Sequence, residues 1–207
     1  MSELISDSRG DTVIEQKKAT EHENKIEDLL FRKRRIFFST QVDDKSASET
    51  IRKLWYLDDL DQTKPILLVI NSPGGSVDSG FSIWDQITMI NAPVYTLVSG
   101  LAASMGSILS LAGVKGKRFA TPYSRIMIHQ PLIAGVIQGQ ATDLEIQAKE
   151  IIKTREQLIE LYVDKTGQER KRIEKALDRD TWLSAQEAQA FGLIDQIVTS
   201  YKEIGID

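Results

Sequence analysis

The chain has two histidines, no cysteine, and serines set among glycine and alanine. Without cysteine it has no thiolate nucleophile, disulfide, iron–sulfur cluster or cysteine-ligated zinc. Two histidines cannot form a His-rich metal cluster, so any imidazole chemistry falls to His22 or His129. His22 lies in a polar N-terminal stretch, where fixed geometry is hard to arrange. His129 directly follows the apolar run Ile126-Met127-Ile128 and precedes Gln130-Pro131. An imidazole at a strand exit can take a proton from a neighbouring hydroxyl. The plainer alternative is a structural histidine.

Candidate hydroxyls crowd the stretch Ser99-Gly100-Leu101-Ala102-Ala103-Ser104-Met105-Gly106-Ser107. A serine at a helix start, among small residues, leaves room for a substrate backbone. The helix dipole there favours negative charge near Ser104 and the Met105 N–H. Position 102 is Ala, so the Gly-x-Ser-x-Gly elbow of α/β-hydrolases is not supported. Ser99, Ser104 and Ser107 compete for the nucleophile role, and close helix packing explains the same small residues. A second junction, Asn71-Ser72-Pro73-Gly74-Gly75-Ser76, carries two glycines ahead of a helical pattern. Backbone N–H groups there suit an anion or a developing oxyanion, although a tight turn would use the same residues. It is not a phosphate loop, because neither Gly-Lys-Ser/Thr nor Gly-x-Gly-x-x-Gly is present. A serine–histidine pair needs an orienting carboxylate. Asp178, Asp180 and Asp195 are available near the C-terminus, and spacing alone does not rank them.

The elements that must hold these groups alternate in kind. Ile26, Leu29 and Leu30 recur at helical spacing within 24–31, and the run Arg32-Lys33-Arg34-Arg35 follows. That run reads as a solvated turn or as a patch for an anionic partner. Ile36-Phe37-Phe38 predicts a strand. Ser46 and Glu49 predict a capping box for a helix bearing Ala47, Ile51, Leu54 and Trp55. Pro65–Ile70 and Pro93–Val98 are continuous apolar runs and predict strands buried on both faces, with a broad-faced helix from Val77 to Ile90 between them. A small-residue helix is expected from about Ala102 to Ala112, with Gly113 as its stop. A strand over Ile126–Ile128 and a long helix over roughly Ala141 to Asp164 come next. Thr166 with Glu169 and Ser184 with Glu187 predict two further caps, and Leu193 to Val198 predicts a closing strand. Buried strands separated by helices indicate an α/β fold with a largely parallel sheet.

Composition sets the class. The 207 residues carry 26 basic and 30 acidic side chains, a net charge of −4, which lacks the strong basicity of a nucleic-acid footprint. Residues 1–20 contain no apolar core of the kind a secretory signal needs, and no run reaches the length of a membrane span. A cytoplasmic location is expected.

Together the junctions resemble the proteolytic subunit of the Clp protease (ClpP), a serine peptidase family. The likeness runs from about Phe37 to Ser200 and is carried by Ile70–Gly75, Ala102–Gly106, Gly116–Phe119, Met127–Pro131, Gly139–Asp143, Leu183–Ala185 and Gly192-Leu193. It implies an α/β fold of ClpP/crotonase-like repeated strand–helix units with a protruding handle, a strand plus a long helix, at about 132–165. Residues 1–22 then form a polar extension, a propeptide or axial loop, and 23–207 a single peptidase domain. The resemblance assigns Ser104 as nucleophile, His129 as base and Asp180 as orienting acid. It gives Gly75 and Met105 the oxyanion hole, and gives Gly74, Val136, Ile137, Gln138 and Gly139 the pairing with an extended substrate. No metal or organic cofactor is implied. The implied partners are unfolded polypeptides and an AAA+ Clp ATPase unfoldase, and the implied assembly is two heptameric rings.

Three differences set the chain apart from the family pattern. Two more residues than expected lie between Pro131 and Gly139. Leu67 and Val69 stand where family members often carry tyrosines of the unfoldase docking pocket, while Phe119 is retained. Glu27–Arg32 replaces the usual family opening. These differences imply a divergent paralogue working in a mixed barrel. The alternative function is a ring subunit that assembles and docks partners with little activity alone. A crotonase-like acyl-CoA enzyme shares the fold and the glycine-type oxyanion hole, but does not require the Ser104–His129–Asp180 set.

Overall fold

A computed structural model describes residues 25–132 and 139–206. Helix α1 (25–32) leads into strand β1 (Arg35–Phe38). Then follow α2 (Asp44–Leu60), β2 (Ile66–Ser72), α3 (Val77–Met89), β3 (Val94–Ala103), α4 (Met105–Leu111), β4 (Arg118–Ala120) and β5 (Arg125–Ile128). The chain closes with α5 (Ala141–Thr166), α6 (Arg170–Leu177), β6 (Thr181–Ser184), α7 (Ala185–Phe191), β7 (Gln196–Ile197) and α8 (Tyr201–Ile204).

The sheet is parallel in the order β1-β2-β3-β4-β7. The unbroken apolar run of β2 follows from its place inside this sheet, covered on both faces. Strand side chains alternate in direction. Ile66, Leu68 and Ile70 therefore join the main core with Leu54, Ile83 and Ile108, from α2, α3 and α4. Leu67 and Val69 point the other way, into a smaller cluster with Leu97, Phe119, Val198 and Ile204. The positions where the family often carries tyrosines are thus buried here. Two further strands extend the sheet. The C-terminal end of β3 leaves β4 behind and pairs instead with β5, in parallel, and β6 lies antiparallel on the far side of β5.

Several expected boundaries shift. The cap of α2 is Asp43, one turn before the expected start: Asp43 Oδ1 accepts from the Ser46 N–H at 2.7 Å and Ser46 Oγ accepts from the Asp43 N–H at 2.9 Å. Strand β3 runs on to Ala103, because Ala102 and Ala103 pair with Ile126 and Met127. Tertiary pairing overrides the helical preference of alanine there. Gly113 directly follows the helix end, as expected, but it is not a left-handed cap, and its lack of a side chain serves packing. Helix α4 ends at Ala112 in right-handed geometry, and a β-carbon at 113 would lie 2.6 Å from Thr96 Oγ1. Thr166 is the last residue of α5 and donates its hydroxyl to Tyr162 O, and α6 starts after Glu169 with no side-chain cap. The closing strand shortens to Gln196–Ile197. The Ser184–Glu187 box forms as expected.

Arg34, from the basic run, fits neither reading of that run. Its buried guanidinium donates to the carbonyls of Leu57, Asp61, Lys64 and Pro65, closing the C-terminal end of α2. Among the described residues no helix is long and apolar enough to cross a membrane.

Candidate active site

Strand register brings the candidate groups together. Ala103 pairs with Met127 across β3 and β5, and Ile128 pairs with Thr181 across β5 and β6. The residue after Ala103, the residue after Ile128 and the residue before Thr181 therefore emerge side by side. They are Ser104, His129 and Asp180.

Ser104 turns the chain from buried strand to buried helix in one residue. It adopts φ 53° and ψ −123°, a region that costs a non-glycine residue about 1–3 kcal/mol. Hydrogen bonds hold it there. Its N–H donates to Met127 O at 2.9 Å, and its carbonyl accepts from the Ser107 N–H at 2.9 Å and the Ser107 hydroxyl at 2.6 Å. The turn presents Oγ to the imidazole, with His129 Nε2 at 2.9 Å. On the other side of the ring, Nδ1 lies 3.2 Å from Asp180 Oδ1. Gln130 secures this end of β5: its N–H donates to Leu177 O at 2.7 Å and its side-chain amide to Asp178 O at 3.1 Å.

The glycine turn packs directly on this elbow. A β-carbon on Gly74 would lie 2.5 Å from Ala103 O and 2.7 Å from Ser104 Cβ. Gly75, at φ 148°, would place one 2.2 Å from Val42 O, inside the bridge that joins the turn to the 42 position. Both positions exclude any side chain. Val42 donates to Gly74 O and accepts from the Ser76 N–H, so the Gly75 N–H lies outside that pairing. Among the described residues neither the Gly75 N–H nor the Met105 N–H has a protein acceptor. Two such N–H groups beside a hydroxyl suit an oxyanion. With only seven residues in α4, these individual N–H groups matter more than the helix dipole.

A cavity of about 210 Å³ adjoins the elbow, and Val77, Met105, Ile108, Met127, Leu158 and Tyr162 make much of its wall apolar. It suits an apolar side chain next to the reacting carbonyl. Leu158 and Tyr162 were not singled out from sequence. Their spacing on the long helix is that of any buried helical face, and nothing marks that face as facing the site.

The remaining candidates lie elsewhere. Ser99 faces a different cavity, with Thr121 and Tyr201. Ser107 is buried beneath Ser104. Asp178 is exposed at the end of α6, and only its carbonyl is engaged. Asp195 binds Arg118 through both carboxylate oxygens and accepts the Gly116 and Arg118 N–H groups. Burial pushes its carboxyl up, but these donors outweigh that and hold it below the usual carboxylate range. Gly139 is exposed just before α5. Val136, Ile137, Gln138 and His22 lie outside the described residues.

A family model described as Clp protease matches residues 17–201. The chain is 67% identical over 181 residues to the ATP-dependent Clp protease proteolytic subunit 1 of Protochlamydia amoebophila, covering 87% of this chain and 88% of that protein. It is 58% identical over 188 residues to the protein of the same name in Chlamydia abortus, covering 89% and 98%. For the Chlamydia pneumoniae protein the figures are 60% over 179 residues, covering 86% and 94%.

Proposed function

The chain belongs to the Clp protease family, and from that premise we propose how its own residues carry out the hydrolysis. It is a proteolytic subunit of an ATP-dependent Clp protease, a serine peptidase that works with a Clp ATPase in an oligomeric assembly. These relatives do not favour the ring-only and acyl-CoA readings.

In the proposed mechanism Ser104 attacks the peptide carbonyl as His129 Nε2 takes its proton. Asp180 holds the Nδ1–H tautomer and stabilises the imidazolium. The Gly75 and Met105 N–H groups receive the tetrahedral oxyanion, each worth roughly 3 kcal/mol by analogy with such donors elsewhere. His129 then returns the proton to the leaving amine, and water releases the acyl-enzyme. Gly74 and residues 136–139 pair with the extended substrate by strand addition, so main-chain contacts supply most of the binding. The continuous Ser104–His129–Asp180 contact carries this reading.

The proposed assembly is two heptameric rings, mixed with a paralogue, in the cytoplasm. Within each subunit, 1–22 is a propeptide or axial loop and 23–207 is one peptidase domain. The exposure of residues 141–150 supports a handle used between subunits: Leu144 and Ile146 are exposed, and the first buried residue of α5 is Leu158. The "subunit 1" in the relatives' names supports the paralogue reading.

Ser104→Ala tests the core of the proposal. The assembled protein should lose peptide hydrolysis and fluorophosphonate labelling while keeping its native mass and melting temperature. Unchanged turnover would overturn the assignment.

A further inference from the structure

Ser107 and Tyr162 form a link that takes no part in the proton transfers. Both are buried, Ser107 one turn into α4 and Tyr162 in the C-terminal part of α5. Their side-chain oxygens lie 2.6 Å apart. Ser107 Oγ is also 2.6 Å from the Ser104 carbonyl oxygen. A serine hydroxyl has one proton to give, and a carbonyl can only accept. The Ser107 proton therefore goes to Ser104 O, and the Tyr162 hydroxyl donates to Ser107 Oγ. Burial raises the Tyr162 phenol well above its usual range and keeps it a neutral donor. In a low-dielectric interior such a chain of hydroxyls is strengthened by mutual polarisation.

The end point of this chain is the peptide bond between Ser104 and Met105. A peptide unit is planar, with its C=O and N–H pointing in opposite directions. Pinning the Ser104 oxygen on one side therefore aims the Met105 N–H on the other. The Ser107 N–H and hydroxyl both hold that oxygen, and Tyr162 holds the hydroxyl. The same peptide follows the one elbow residue at positive φ, where relaxation to an ordinary backbone conformation would swing the N–H away.

We propose that Tyr162 and Ser107 are positioning residues that aim the Met105 N–H at the oxyanion and make that aim depend on the seating of α5. The inference rests on the assignment of Ser104 and Met105 made above. Its distinguishing consequence is a loss in kcat with little change in KM, because the aimed group acts on the transition state.

The test uses the assembled full-length protein and a fluorogenic peptide. Tyr162→Phe keeps the ring and removes the donor. It should lower kcat roughly 10-fold, part of the 10²–10³-fold that a whole oxyanion donor contributes, with KM within about twofold. Ser107→Ala should give a similar loss, the double variant little more than either single, and Ser107→Thr should recover much of it. A peptide aldehyde, whose hemiacetal oxyanion uses the same N–H, should lose affinity in parallel. If Tyr162→Phe does not assemble, Ser107→Ala decides on the same readouts. Full kcat in the variant examined, strictly multiplicative losses, or a change confined to KM overturns the proposal. Ser104→Ala, run alongside, separates the layers. Turnover in that variant overturns both readings, whereas its silence with full activity in Tyr162→Phe overturns only this one.

Discussion

His129 Nδ1 and Asp180 Oδ1 stand 3.2 Å apart, yet the two ends of this contact meet solvent very differently. The imidazole side chain is 19% exposed and the carboxylate 60%. An exposed carboxylate is screened by water and salt, so its attraction for an imidazolium is weaker than that of a buried one. Fixing the tautomer and ring orientation needs only the hydrogen bond and survives the exposure. Asp180→Asn removes both contributions at once, because an amide carries no charge and can hold the ring in the wrong tautomer. Its kcat should fall roughly 10²- to 10⁴-fold, with KM changed less than threefold. Steady-state peptide hydrolysis measures both. A variant that keeps parental kcat would remove Asp180 from the catalytic set.

Gly75 has no spare volume. An alanine there would drive its β-carbon to 2.2 Å from Val42 O and hold a side chain at φ 148°. The turn can relieve that clash only by moving away from Val42, which carries the Gly75 N–H with it. Gly75→Ala should therefore lose at least about 100-fold in kcat/KM, as for a displaced oxyanion donor. The fluorophosphonate labelling rate should fall in step. Labelling at the parental rate would show that the turn is only structural.

Much of the framework could be read from residue order. The unbroken run Ile66–Ile70 announced a strand buried on both faces, and Ser184 with Glu187 announced its helix start. His129 stood out as a strand-exit histidine. The boundary between β3 and α4 was not legible, because Ala102 and Ala103 favour helix locally and are held extended only by pairing with β5. Local sequence also could not choose among Asp178, Asp180 and Asp195. That choice depends on the Ile128–Thr181 register, a contact across more than fifty residues of chain. Tyr162 was hidden for the same reason: its partner Ser107 lies on a different helix.

Asp195 should dominate one part of the acid stability. Burial works against its charge, but the Arg118 guanidinium and the Gly116 and Arg118 N–H groups prevail, so its folded carboxyl lies below the ordinary value. A depressed carboxyl contributes stability that is fully present above the unfolded value of about 3.9 and is lost as pH falls through the folded one. Asp195→Asn should cost about 2–4 kcal/mol at pH 7, because it also leaves Arg118 without its counter-charge. The gap in melting temperature between parent and variant should narrow as pH drops below about 4. A gap independent of pH would show that the pair contributes through packing alone.

Arg34 closes a helix end that no other side chain reaches among the described hydrogen bonds. The shortest contacts go to Leu57 O at 2.8 Å and Asp61 O at 2.9 Å, and Lys64 O and Pro65 O take two more. These carbonyls lie at or just beyond the last turn of α2, where backbone donors run out: Leu57 O also accepts from the Asp61 N–H, and the other three depend on Arg34 or water. Guanidinium geometry matters because one rigid plane must serve four acceptors at once. Lysine keeps the charge but has a single nitrogen with three donors, so it cannot span them. Arg34 also sits at φ 53°, a conformation that these bonds help to hold. Arg34→Lys should therefore lose about 1–2 kcal/mol of stability in chemical denaturation, because the charged fork is lost while Leu57 O keeps the Asp61 N–H and the other three carbonyls can reach water. The active site lies elsewhere, so kcat and KM of the protein that remains folded should stay within about twofold. If the variant matches the parent in stability, the four bonds add nothing beyond solvation. If its kcat drops while stability holds, the arginine bears on the active site by a route these contacts do not provide.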